Sequence, residues 1–121
     1  MSDKFQAIII TPVGLPEPST AIAATRAGAL GCLDLEFAAD SSAAQQAASR
    51  LEQFARGPYG VKASYRQADL LAALSKDTLP RLEFVLLSAH GEVDGDALQR
   101  AVEAAHDRGL RVLLQATDIS L

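Results

Sequence analysis

Tryptophan is absent from this 121-residue chain, and aromatic residues make up only 5% of it. A chain so poor in rings has little from which to build stacking platforms for bases or sugars. Ala, Leu and Val must therefore fill its core. There is one cysteine, Cys32, which excludes an internal disulfide. It lies in an apolar run and reads as a core residue, and a reducing, cytoplasmic setting fits. Basic residues are in deficit: eleven Lys/Arg face fifteen Asp/Glu, for a net charge of −4. No basic patch is visible, so no nucleic-acid partner is expected.

Long apolar runs are missing too. The run near the N-terminus is only Ala7 to Ile10. That is short for a signal peptide, and no stretch approaches the ~18–20 residues of a membrane span, so no membrane partner is expected. Neither G-x-G-x-x-G nor G-x-x-x-x-G-K-[ST] occurs, which leaves dinucleotide and P-loop sites unsupported. His90 and His106 show no metal-ligand spacing, and one cysteine adds nothing, so no metal site is expected.

What is present is a globular composition, 49% hydrophobic and 21% charged. The length points to a single domain over residues 1–121. Five short apolar runs alternate with four helical patterns. The runs are Phe5 to Thr11, Leu30 to Phe37, Tyr59 to Ala63, Leu82 to Ser88 and Arg111 to Ala116. The predicted helices cover about Ser19 to Ala27, Ala43 to Arg56, Arg66 to Leu74 and Gly95 to Arg108. Asp40, Ser41 and Ser42 are good cap residues before the second helix and Asp94 can cap the fourth, and Gly28 and Gly109 are good stops.

The repeat of roughly 25–30 residues is that of βαβ units. Runs one, four and five are continuously apolar, as strands buried on both faces are. The prediction is an α/β protein with a five-stranded parallel sheet and four crossover helices. Periodicity leaves two architectures open. One is the first half of a (β/α)8 barrel; the other is an open doubly wound sheet. A receiver domain is excluded within the second class. It needs an acidic pair after the first run and an Asp ending the third, where this chain has Thr11-Pro12 and Ala63-Ser64.

In both architectures, chemistry sits on the loops after the strands' carboxyl ends. Pro12, Val13 and Gly14 make a loop whose backbone can approach a planar ligand. Asp34 and Glu36 flank Leu35, so a strand would point both to one face. Inside a barrel that pair could work as acid and base. An edge strand with solvated acids is the favoured reading. Lys62 ends the third run and could reach a phosphate or carboxylate, although a solvated lysine is favoured. Ser88 to Glu92 is the densest polar cluster, and His90 is well placed there for proton transfer. Gln115 is polar at the end of an apolar strand, which suggests an inward hydrogen bond.

Four segments and their order resemble the N-terminal half of the nitronate monooxygenase (2-nitropropane dioxygenase-like) family of FMN-dependent barrels. Ile8 to Gly14 is similar to the family's first strand and flavin-contacting loop. Ala21 to Leu35, "AIAATRAGALGCLDL", is similar to its first helix and second strand. Gly57 to Lys62, "GPYGVK", resembles "P-F-G-V-N", and Val85 to Gly91, "VLLSAHG", resembles the segment near "S-F-H-F-G". Val112 to Thr117 then matches the fifth strand. The wording is closest to such segments in bacterial type I polyketide synthases.

The resemblance implies an FMN cofactor contacted by Pro12, Val13, Gly14, Lys62, Ser88 and Gln115; His90, by its place at a strand's carboxyl end, is the catalytic candidate. It implies an oxidoreductase acting on a nitronate or on an enoyl or acyl thioester. Other domains of a larger synthase, or a second copy, would be the partners. Two departures matter. The family's strand-three Asn is Lys62 here, and the Met of its first loop is Val13. The family's catalytic His and FMN phosphate loops lie beyond its fifth strand. The resemblance therefore also admits a non-catalytic scaffold or interaction module.

Overall fold

The structure is a computed structural model that describes residues 7–12, 17–38 and 40–117. Its elements run β1 (Ile8–Ile10), α1 (Ser19–Arg26), β2 (Leu30–Asp34), α2 (Ser41–Phe54), β3 (Tyr59–Ser64), α3 (Ala68–Ala73), β4 (Leu82–His90), α4 (Gly95–Asp107) and β5 (Arg111–Thr117). All nine elements fall where the alternation of apolar runs and capped helical stretches puts them. Asp40 caps α2 by accepting from the Ala43 N–H, and Asp94 caps α4 by accepting from Asp96 and Ala97. Gly28 and Gly109 follow α1 and α4 with φ of 87° and 76°, a region that L side chains rarely adopt.

Strand order decides between the two architectures. The sheet is parallel throughout and runs β1-β2-β3-β4-β5 without a reversal. A doubly wound sheet reverses its order at a switch point, and ligands bind there. No such point exists among the described residues, so the open doubly wound alternative falls away. The sheet curls into half of a (β/α) barrel.

Two apolar clusters lie on the two faces of the sheet. The larger contains Leu33, Leu35, Val61, Ala63, Val85, Leu87 and Ala89, packed against Ala21, Ala44, Ala48, Leu51, Leu70, Leu71, Ala101 and Ala105 from the four helices. The smaller is on the concave face and holds Cys32, Phe84 and Leu86, with Leu30 and Leu113 beside it. Two glycines permit close approach. A Cβ on Gly31 would lie 2.4 Å from the Ala21 carbonyl oxygen, so α1 sits directly on β2. A Cβ on Gly60 would lie 2.2 Å from the Phe84 ring, which rests on bare β3 backbone.

Some sequence expectations are corrected. β2 stops at Asp34, because Leu35 to Ala38 form a turn closed by the Ala38 N–H on the Leu35 carbonyl. β4 and β5 run one or two residues further than predicted. Phe54, which continues the helical spacing of the apolar residues Ala44, Ala47, Ala48 and Leu51 in α2 and is expected by that spacing to share their face, is exposed. Ile8, Ile9, Ile10 and Leu114, on the two edge strands, are exposed as well. No helix among the described residues is long and apolar enough to cross a membrane.

Candidate functional site

Parallel register carries side chains of adjacent strands to the same face. Asp34 pairs with Lys62, and Lys62 with Leu86, which pairs with Leu113. One step toward the carboxyl ends, Ser64 pairs with Ser88 and Ser88 with Gln115; His90 pairs with Thr117 beyond that. The concave face thus carries an apolar row at Leu86 and Leu113, with polar groups beside and above it.

The polar groups converge on Glu36. The Ser88 hydroxyl donates to Glu36 Oε2 at 2.8 Å. The His90 Nε2 atom is 3.6 Å from the same oxygen. Lys62 Nζ is 3.7 Å from Glu36 Oε1 and 3.9 Å from Asp34 Oδ2. One ammonium therefore stands between two carboxylates, just outside hydrogen-bond distance of either. The Asp34 side chain is only 1% exposed, Glu36 9%, Lys62 12% and His90 54%.

Local sequence explains the placement. Asp34 sits at the end of β2, where its N–H donates to the buried Thr11 hydroxyl at 2.8 Å. Its Oδ1 accepts from the Glu36 N–H at 2.9 Å, which turns the chain so that Glu36 bends back over the sheet. The Leu35 N–H donates to the Lys62 carbonyl. Gln67 straps the same corner: its Oε1 accepts from the Ser64 N–H and its Nε2 donates to the Leu35 carbonyl. The turn that ends β2 early is therefore what delivers Glu36 to the rim.

Two expectations are overturned here. Asp34 and Glu36 are not solvated, because β2 is flanked by β1 and β3 and is not an edge strand. Lys62 is not solvated either, because its register partner is Asp34 and both point to the concave face. Of the residues expected at a site, Lys62, Ser88 and His90 come together directly. Gln115 lies on the same face beside Ser88 in register, and its Oε1 is buried with no hydrogen-bond partner. Pro12 is exposed after β1. Val13 and Gly14 lie outside the described residues. Glu36 was the residue undervalued from sequence; its period-two spacing from Asp34 was the signal.

Asp34 Oδ2 is the second buried polar atom without a hydrogen-bond partner. Cys32, one step below Asp34 on the same face, is fully buried. Burial, and then the Asp34 charge, push its thiol up to about 12, which keeps it protonated and unreactive. Among the described residues, no three His, Cys, Asp or Glu side chains are grouped to hold a metal ion. Comparisons with protein families, curated proteins and solved structures found no match for this chain.

Proposed function

We propose that this chain is the N-terminal half of an FMN-dependent oxidoreductase-like barrel within a larger synthase, with its site at the carboxyl-end rim of the half barrel. One observation carries the reading. Lys62, Ser88, His90 and Gln115, drawn from three separate segments by resemblance, share the concave face at the end where (β/α) barrels do their chemistry.

The rim suits a flavin ring and does not suit its phosphate. Leu86 and Leu113 offer an apolar seat, and the unpartnered Gln115 Oε1 offers an acceptor for a ring N–H. Lys62 offers a cation near the ring, the kind of charge that tunes a flavin. The phosphate would meet two carboxylates and one ammonium, a net negative cluster. Its cradle belongs to whatever segment completes the barrel. A bound flavin would supply hydride transfer.

This chain's own residues handle protons. Glu36 is the shared acceptor, and half-exposed His90 connects it to solvent. Ser88 holds one Glu36 oxygen in place from below. The lack of a phosphate cradle here also favours the scaffold reading, so the test must separate the two.

The test is titration of the full 121-residue chain with riboflavin and with FMN, followed by flavin fluorescence and by absorbance at about 450 nm. The proposal expects both flavins to bind with similar affinity, since this half ignores the phosphate. It expects Gln115→Ala to weaken both. No binding of either flavin would leave the scaffold reading standing and refute this one.

A further inference from the structure

The buried side-chain atoms on the concave rim that lack a hydrogen-bond partner are both acceptors. Asp34 Oδ2 and Gln115 Oε1 are buried and have no donor. The Ser88 hydroxyl spends its one proton on Glu36 and retains only lone pairs. Lys62 from β3 faces both carboxylates, 3.7 Å from one and 3.9 Å from the other, and the His90 ring from β4 stands 3.6 Å from Glu36 alone. One ammonium cannot satisfy both, and leaving a buried carboxylate short of donors is costly.

We infer that the rim binds an organic cation, an ammonium or amidinium group, through Glu36, with Lys62 passing to Asp34 as it does so. The inference rests on the reading of this rim as the binding site, and not on flavin. Glu36 is the outer carboxylate and Asp34 the inner one, by their 9% and 1% exposure. A cation reaching the rim therefore meets Glu36 first. It takes over the neutralisation of Glu36. Lys62 is then released to close the gap to Asp34 Oδ2, which supplies the missing donor. The exchange converts one loosely shared ammonium into two complete ion pairs. The Leu86 and Leu113 row beside the carboxylates seats an apolar or aromatic body on the same ligand. An anion, a nitronate included, would instead meet two carboxylates.

Benzamidine and benzoate make a suitable probe pair, with the same ring and opposite charge. Each is titrated into the full-length chain while backbone amide NMR signals are followed. Benzamidine is expected to shift the amides of residues 34–36, 62–64 and 88–90, and benzoate at equal concentration to leave them in place. Glu36→Gln is expected to weaken benzamidine binding at least about tenfold. Asp34→Asn is expected to weaken it as well, although Asp34 never touches the ligand, because Lys62 then has no second carboxylate to move to. Signals of the strand amides show whether each variant stays folded. Benzoate binding as well as benzamidine would overturn the inference, as would unchanged benzamidine affinity in either folded variant. Flavin titration of the same samples reports on the proposed function separately. Cation binding without flavin binding would sink that reading alone.

Discussion

Replacing Lys62 by Met keeps the length and apolar stem of the side chain and deletes its charge. Asp34, 1% exposed, and Glu36, 9% exposed, then lose the ammonium that stands between them. At 3.7 and 3.9 Å, with an effective dielectric of about 20, each pair carries about 4 kcal/mol of attraction before desolvation. Losing the lysine also removes its own desolvation penalty. The net cost should be about 3 kcal/mol, the low end for breaking a buried pair. With a urea m-value of about 2 kcal/mol/M, the unfolding midpoint should fall by about 1.5 M. Lys76→Met, at an exposed lysine, is the control and should stay within about 0.5 kcal/mol of wild type. Adding Asp34→Asn to Lys62→Met should restore at least about 1 kcal/mol, because the buried charge that lost its partner is gone. A Lys62→Met midpoint within about 0.3 M of wild type would refute the argument that this cluster is desolvated. Failure of Asp34→Asn to restore anything would refute the assignment of the strain to Asp34.

Further predictions concern the core and the caps. Gly60→Ala should cost about 1–3 kcal/mol, since its Cβ would enter the buried Phe84 ring; Phe84→Leu in the same chain should relieve part of the loss, and strictly additive costs would refute the contact. Alkaline stability should decline for two reasons. Burial raises the Cys32 thiol to about 12, and burial with the Glu52 hydrogen bond raises Tyr59 as well. Both folded values exceed the unfolded ones, so this stability is complete below about pH 8 and is lost as pH climbs, at ~1.4 kcal/mol per unit for each group ionised in the unfolded chain. Urea midpoints between pH 8 and 11 should fall accordingly, Cys32→Ala should flatten part of the slope, and a level profile would contradict the burial. Asp94→Ala should cost about 1 kcal/mol through the two N–H groups it caps, read as faster amide exchange at Asp96 and Ala97 with the α4 centre still protected.

Much of the architecture was legible in local chemistry. Phe84-Val85-Leu86-Leu87 has the β-rich, uninterrupted apolarity of a strand in a covered parallel sheet, whereas Ile8-Ile9-Ile10 has the same pattern and forms a strand but is exposed at the sheet edge. Asp40 and Asp94 announce helix starts because their carboxylates accept backbone N–H bonds within three residues. These signals act over a few residues, so a single sequence carries them. The end of β2 was misplaced because Asp34 and Glu36 fit strand alternation equally well. The Asp34 side chain, accepting from the Glu36 N–H, starts the turn, and the Ala38 N–H on the Leu35 carbonyl closes it.

The sequence alone determined the alternation of strands and helices, the parallel sheet, the buried Cys32 and the candidate residues at the strand ends. The half-barrel was expected only through resemblance, with periodicity leaving a doubly wound sheet open, and the charge cluster was not readable there. Both depend on which strand lies beside which, a choice made by packing over tens of residues. A central β2 is what turns Asp34 and Glu36 from solvated acids into a desolvated pair. The same register brings Lys62 between them and Ser88 beneath Glu36 from chain positions 52 residues apart. Spacing along a strand tells which face a side chain takes. The fold alone decides whether that face is wet or buried, and so whether a lysine there is a solvated charge or the shared partner of two carboxylates.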